Sequence, residues 1–408
     1  MAAGAARTGC PICGGLSETI ASWEHIMDRT VQFTEGHQIF RDTFRRFLAR
    51  EIGDRYARWE HDGIVPREIW KKFGDNGYLV PWAPEKYGGA GADWLYSVIV
   101  TEELARYGAS GLFVPLHNDI VAPYIFSFGT EEQREKWLPG CITGDTILAV
   151  AMTEPEAGSD LASIRTTAKR DGDTWVLNGQ KTFISNGHLS DLVVVAARTG
   201  DAGTAPAQAM SLFVVERGTP GFSRGELIKK IGLKAQDTSE LFFDDCRIPA
   251  GNLLGVEGQG FIYLMQKLQQ ERLVCALASQ AAAERGLEVT IDYVKERKLF
   301  GKPLSKFQNT QFLLAELASE IAAGRCFVDT LINNHVAGRD VTRETCMAKY
   351  WVCEMAMHVA DRCLQLFGGY GYCTEYLISR FFVDARIQTI YAGTSEVMKL
   401  IVSRYMGL

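Results

Sequence analysis

Thr146-Ile-Leu-Ala-Val-Ala-Met-Thr-Glu-Pro-Glu-Ala-Gly-Ser-Asp160 marks the point where the chain changes its hydrophobic period. Upstream, from about residue 36 to 145, apolar residues recur at helical spacing, with Phe40, Phe44, Phe47, Leu48 and Ile52 on one face. Thr130-Glu-Glu-Gln133 reads as a capping box that opens a helix on Gln133 and Trp137, and Pro139-Gly140 is expected to stop it. From Thr146 the apolar residues come in short runs rich in Val, Ile, Phe and Thr. Thr146–Met152, Thr174–Leu177, Lys181–Ser185, Leu192–Ala197, Ser211–Glu216 and Glu240–Asp244 read as strands. Asp171-Gly172 and Asn178-Gly179 are hairpin-turn signals between them. Strands this close together, with no helical stretch between, predict a small β-barrel or sandwich.

The helical period returns after Gly260. Phe261–Val294, Gln308–His335, Thr342–Phe367 and a last helix from about Ser395 predict a bundle. The expected fold is mainly α with a β domain: an N-terminal extension (1–35), an N-terminal helical domain (36–147), a central β domain (148–252) and a C-terminal four-helix bundle (253–408). A chain of 408 residues suits such a division, since domains commonly hold ~100–200 residues each.

Composition narrows the function. A net charge of −6 and the lack of a basic run argue against nucleic acid. The longest apolar stretches, such as Leu192 to Ala197, fall far short of the roughly 20 residues of a membrane helix. Ten scattered cysteines suit reduced thiols. Cys10-Pro-Ile-Cys13 lacks the second pair or the spaced histidines of a zinc site, and the seven histidines are isolated, so no metal is expected. Residues 1–30 carry only Arg7 and Arg29 against several acids, a poor transit peptide. A bacterial cytoplasm fits best, with a mitochondrial matrix as the alternative. No GxGxxG follows a strand, and HExxH, P-loop and GxSxG motifs are missing.

Two segments remain that are rich in hydroxyls and glycines, the composition that brings backbone and small donors against a polar cofactor: Ala151–Asp160 and Tyr391-Ala-Gly-Thr-Ser-Glu396. Their order and flanks resemble the flavin-dependent acyl-CoA dehydrogenases, and the resemblance runs from about residue 36 to 405. Phe183-Ile-Ser-Asn-Gly187, Arg297-Lys-Leu-Phe-Gly-Lys302 with Gln308, and Gln365-Leu-Phe-Gly-Gly369 complete a set of five motifs in the family's order. Gly232–Thr238, Gln270-Glu-Arg-Leu273 and Met347–Trp351 look like the long-chain branch in particular.

The resemblance implies FAD as cofactor, acyl-CoA thioesters as substrate and trans-2-enoyl-CoA as product. It implies fatty-acid β-oxidation of medium, long or branched chains, with electrons passed to an electron-transfer flavoprotein. Ala151, Met152, Thr153, Ser159, Phe183, Ile184 and Ser185 would meet the flavin, as would Thr394, Ser395 and Glu396. Arg297, Gln308 and Gln365, Leu366, Phe367, Gly368 and Gly369 would reach the dinucleotide of a neighbouring subunit, which implies a homotetramer, a dimer of dimers. Ser159, Gln269, Gln270, Arg272, Ala392 and Gly393 would contact substrate.

Many family members carry the catalytic glutamate where this chain has Ala392. The long-chain and isovaleryl-type enzymes place it on the first bundle helix instead, where Glu271 matches. Leu264, Leu268, Cys275, Ala278 and Ala282 define an apolar stripe into which Glu271 falls, and desolvation there should raise its pKa toward that of a general base. The bland alternative is that Glu271 bonds Lys267 or a bundle partner and only stabilises packing. Ala392 would keep its backbone N–H for the thioester oxygen.

Two departures stand out. Glu156 replaces the family's usual glycine and is expected to point outward, to solvent or to a base such as Arg165. Gln269 replaces a proline, which leaves the chain-length preference open. The competing functions are an acyl-CoA oxidase reoxidised by O2, usually a longer chain, and a non-catalytic acyl-CoA or flavin-binding scaffold, which the presence of Glu271 disfavours.

Overall fold

The computed structural model describes residues 29–200, 203–204 and 208–408; Cys10-Pro-Ile-Cys13 lies outside them. The first helices are α1 (Glu35–Glu51), α2 (Arg55–Asp62), α3 (Arg67–Asp75), α4 (Trp94–Tyr107), α5 (Ala122–Phe128) and α6 (Glu131–Thr143), with a π-helical turn at Leu116–Val121 directly before α5. Phe44, Phe47, Leu48 and Ile52 are buried together, as the spacing of α1 requires. The Thr130 capping box forms in full. Pro139 does not end α6, which continues to Thr143 and a left-handed cap at Gly144. Burial of Trp137, Leu138, Cys141 and Ile142 holds the helix together, and the carbonyl that Pro139 leaves unpaired belongs to exposed Glu135.

The strands are β1 (Leu148–Ala151), β2 (Thr167–Asp171), β3 (Thr174–Ser185), β4 (Leu192–Arg198), β5 (Met210–Glu216), β6 (Phe222–Arg224), β7 (Thr238–Pro249) and β8 (Leu253–Leu254). They bond in the order β6-β7-β3-β2-β4-β5-β8, with β1 parallel on β4. The β2–β4 join is a single pair, Thr167 with Arg198. The two halves therefore fold over one core, in which Trp175 meets Phe213 edge-on at 5.1 Å between centroids. Alternate residues of β4 and β5 enter that core, while Leu192, Val194, Leu212 and Val214 pack against the N-terminal helices. Both faces of β4 and β5 are therefore covered, whereas β2, β3 and β7 keep exposed residues on their outer face.

Asp171-Gly172 makes the β2–β3 hairpin. Asn178-Gly179 does not turn: β3 runs through it with a register shift. The Asn178 amide is engaged by Asp245 of β7, accepting its N–H at 2.9 Å and donating to its carboxylate at 3.1 Å. A Cβ on Gly179 would lie 2.4 Å from the Thr166 hydroxyl, so the glycine serves close packing at a bulge.

The C-terminal part is α7 (Gly260–Glu296), α8 (Gln308–Val336), α9 (Thr342–Phe367), α10 (Leu377–Gln388) and α11 (Ser395–Tyr405). Three long helices appear where the periodicity placed them. The fourth bundle member is the short α10, whose Ile378 and Phe381 join the core of α7, α8 and α9; the anticipated terminal helix, α11, packs on α9 through Met398, Val402 and Cys346. Among the described residues no helix is long and apolar enough to cross a membrane.

Candidate active site

A cleft of about 600 Å³ opens where α7, α11 and the loop after β1 converge. Met152, Thr153 and Ser159 line it from the loop, Glu271 and Arg272 from α7, and Ala392 and Gly393 from the turn before α11. Phe261, Met265, Leu268, Val397, Leu400 and Ile401 give it an apolar wall.

Glu271 is buried (3% exposed) on the apolar face of α7. It does not bond Lys267, whose ammonium donates to Ser127 at 2.6 Å. Its partner is Tyr124 of α5, whose hydroxyl donates to Oε1 at 2.6 Å. Burial pushes the Glu271 carboxyl up to about 7, against the opposing pull of the Tyr124 hydrogen bond, Arg272 and Lys267. A carboxyl raised by burial, in a cleft with an apolar wall, can serve as a general base. Arg272 is also buried, with Nη1 3.3 Å from the Cys346 sulfur and Nε unpartnered among the described residues.

Ala392 and Gly393 both have left-handed backbones, with φ of 51° and 90°. That is costly for alanine and turns the chain sharply into α11. Thr394 caps the helix by accepting the Val397 N–H at 3.2 Å. The Ala392 N–H has no intramolecular acceptor among the described residues, and Ala392 itself lines the cleft.

Other matched residues fall into place unequally. Ala151 and Ile184 are buried in the sheet core, so their side chains are not available to a ligand. Phe183 sits at a β3 register shift with φ of 57° and is 65% exposed. Ser185 is half-buried at the end of the same strand. Thr394, Ser395 and Glu396 line a separate cleft beside α10, and the Ser395 hydroxyl is buried without a partner among the described residues. Arg297, Gln365, Leu366, Phe367, Gly368 and Gly369 line a third, of about 510 Å³; Gln308 is exposed nearby at the start of α8. Arg297 follows Glu271 along one continuous helix by about 26 residues, ~39 Å at 1.5 Å each.

Gln269 and Gln270 do not line the cleft. Gln269 accepts from the Val341 N–H at 2.9 Å and donates to the Arg339 carbonyl at 3.2 Å, tying down the α8–α9 loop. Gln270 donates to the Asp119 carbonyl at 2.7 Å. On a helix Gln270 is turned ~100° and Gln269 ~160° from Glu271, so adjacency in the motif did not carry them into the site. Tyr124 was missed for the opposite reason: it is remote in sequence and belongs to no motif. The one available signal was a phenol in the apolar run of α5, which when buried needs an acceptor. Glu156 points outward as expected, exposed and 2.5 Å from the Arg165 guanidinium.

Family models for the acyl-CoA dehydrogenase N-terminal, middle and C-terminal domains match residues 34–145, 149–246 and 258–407. The mouse mitochondrial long-chain specific acyl-CoA dehydrogenase is 48% identical over 372 residues, 91% of this chain and 86% of its own. The crystal structure of acyl-CoA dehydrogenase from Geobacillus kaustophilus superimposes with a TM-score of 0.92 at 55% identity, covering 93% of this chain and 100% of its own. A chain in a solved structure described as "Electron transferring flavoprotein of Acidaminococcus fermentans: Towards a mechanism of flavin-based electron bifurcation" does so with a TM-score of 0.87 at 36% identity, covering 93% and 99%. The chain belongs to the acyl-CoA dehydrogenase family, FAD-dependent oxidoreductases acting on CH–CH bonds.

The residues present fit FAD. Hydroxyls at Thr153, Ser185, Thr394 and the unpartnered Ser395 suit the polar edges of a flavin. Phe183 offers an uncovered aromatic face. A Cβ on Gly368 or Gly369 would meet none of the described residues within 4 Å, leaving room for a pyrophosphate beside Arg297.

Proposed function

We propose that the protein dehydrogenates saturated medium-, long- or branched-chain acyl-CoA thioesters to trans-2-enoyl-CoA in fatty-acid β-oxidation, with Glu271 as the base. The observation that carries this reading is the buried Glu271 carboxylate lining one cleft with the Ala392 N–H. FAD, when bound, supplies the acceptor for the hydride that leaves Cβ, since no side chain can take one. Glu271 takes the Cα proton. The Ala392 N–H, fixed by its left-handed turn, donates to the thioester oxygen as negative charge gathers there. Arg272, half-satisfied beside the base, supplies further positive potential. Leu268, Met265, Phe261 and Ile401 wall the acyl chain and exclude water.

Electrons then pass to an electron-transfer flavoprotein, a reading supported by the Acidaminococcus fermentans likeness. The working unit is a homotetramer built as a dimer of dimers, in a bacterial cytoplasm or a mitochondrial matrix. The distance along α7 between Glu271 and Arg297 supports the assembly, because the Arg297 cleft would serve the cofactor of a second subunit.

Anaerobic addition of palmitoyl-CoA to the yellow protein tests the activity: bleaching supports dehydrogenation, and no bleaching with any saturated acyl-CoA from C4 to C18 rejects it. Recolouring by electron-transfer flavoprotein but not by air supports the dehydrogenase; rapid recolouring in air shows an oxidase.

A further inference from the structure

We infer that Tyr124 is a positioning residue for the reaction, holding the Glu271 carboxylate in the cleft through a hydrogen bond made wholly inside the protein. The inference rests on the reading of Glu271 as the base. Tyr124 is fully buried and Glu271 nearly so, and the 2.6 Å contact between them has the length of a charge-assisted O–H···O bond. The phenol takes Oε1 and leaves Oε2 for the substrate side. A core aromatic chosen for packing alone would need no hydroxyl, since a buried phenol without an acceptor is destabilising.

The backbone that delivers Tyr124 is built for accuracy. Leu116–Val121 is π-helical, a rare geometry found mostly at functional sites. Its wide turn is pinned on three sides. Asn118 donates to the Tyr78 carbonyl and accepts from the Val80 N–H, both at 2.9 Å. His117 bonds the Cys141 carbonyl at 2.9 Å through Nε2 and accepts the Leu148 N–H at 3.2 Å through Nδ1, which fixes it as the neutral tautomer. Gln270 of α7 holds the Asp119 carbonyl. Leu148 opens β1, the strand that leads to Thr153 on the cleft. One π-turn thus ties the holder of the base to the strand on the flavin side.

The consequence is a pH at which the base works. Desolvation favours the neutral carboxyl, and the Tyr124 hydrogen bond favours the charged one. Among the described residues, the other ionisable groups around Glu271 are Lys267, Arg272 and Cys275 on its own helix, Cys346 and Lys349 on α9, which packs against α7, and Asp160 and Arg404 on the cleft lining. None of these is altered by removing the phenol hydroxyl.

The test is the pH profile of kcat/KM for palmitoyl-CoA with FAD-loaded Tyr124→Phe, beside an isotope-edited infrared titration of the Glu271 carboxyl. Both the acid limb and the carboxyl titration are expected to move up by about one unit, a tenfold loss at pH values below both limbs. Activity should recover toward wild type at high pH. A ring-fluorinated tyrosine at position 124, a stronger donor of nearly the same shape, should move both down, and it decides the matter if Tyr124→Phe does not fold. An unmoved limb and an unmoved carboxyl titration in either variant overturn the inference. Glu271→Gln separates the two readings: if it keeps turnover the base assignment itself fails, and if it is inactive while the limb stays put only the role of Tyr124 is lost.

Discussion

The ammonium of Lys349, fully buried on α9, donates to the carbonyl of Gly393, the residue after Ala392. Burial lowers the Lys349 pKa, and the Gly393 carbonyl dipole faces its nitrogen. This bond braces the strained turn that aims the Ala392 N–H. Lys349→Met fills similar volume and donates nothing, so kcat is expected to fall about 10- to 100-fold, part of the 10²–10³ that loss of an oxyanion donor costs. KM should change little. Steady-state kinetics at saturating acyl-CoA measures both, and a kcat equal to wild type would show that the turn needs no brace.

As the proposed base, Glu271 would tie activity and stability to pH in opposite senses. A base must be deprotonated, so kcat/KM is expected to fall as pH drops below about 7. Its folded pKa lies above the unfolded value, so between about 4.5 and 7 the folded state holds the extra proton and stability declines as pH rises. Above that window the ionised, buried carboxylate costs up to about 3 kcal/mol. Glu271→Gln removes the charge, and should raise the melting temperature at pH 8, with the gain shrinking toward pH 5. A gain independent of pH would argue against a buried, raised carboxyl.

Glu156 has left the site by pairing with Arg165 at the surface. Glu156→Gly is expected to keep FAD affinity and KM for acyl-CoA within about twofold, a surface change of a few tenths of a kcal/mol. Fluorescence titration of FAD checks the first and steady-state kinetics the second; a tenfold tightening of either would place the carboxylate against a ligand phosphate.

Assembly should couple to cofactor binding, because the Glu271 and Arg297 clefts lie far apart on one chain. Dilution is expected to release FAD together with subunits. A fully flavinated, active monomer on light scattering would contradict the shared site.

Much of the fold was legible because hydrophobic period is a local property: the Phe40–Ile52 stripe, the Thr130 capping box and the Asp171-Gly172 hairpin all stand where the residues placed them. The misreadings came where tertiary packing overrode a local signal. Buried Trp137 and Cys141 carried α6 past Pro139, and Asp245 turned Asn178-Gly179 from a turn into a bulge. In the site, Glu271 could be found because its own helix makes it conspicuous as a charge in an apolar stripe. Tyr124 and Lys349 reach their targets through space from α5 and α9, and nothing in their sequence surroundings points to those targets.

The central claim is that Glu271 removes the Cα proton, and stopped-flow reduction of the flavin in Glu271→Gln tests it most directly. The variant should bind FAD and acyl-CoA, and its anaerobic bleaching with palmitoyl-CoA should be slower than wild type by roughly 10²–10⁴-fold, the worth of a positioned base. Bleaching within a few-fold of the wild-type rate would show that another group takes the proton.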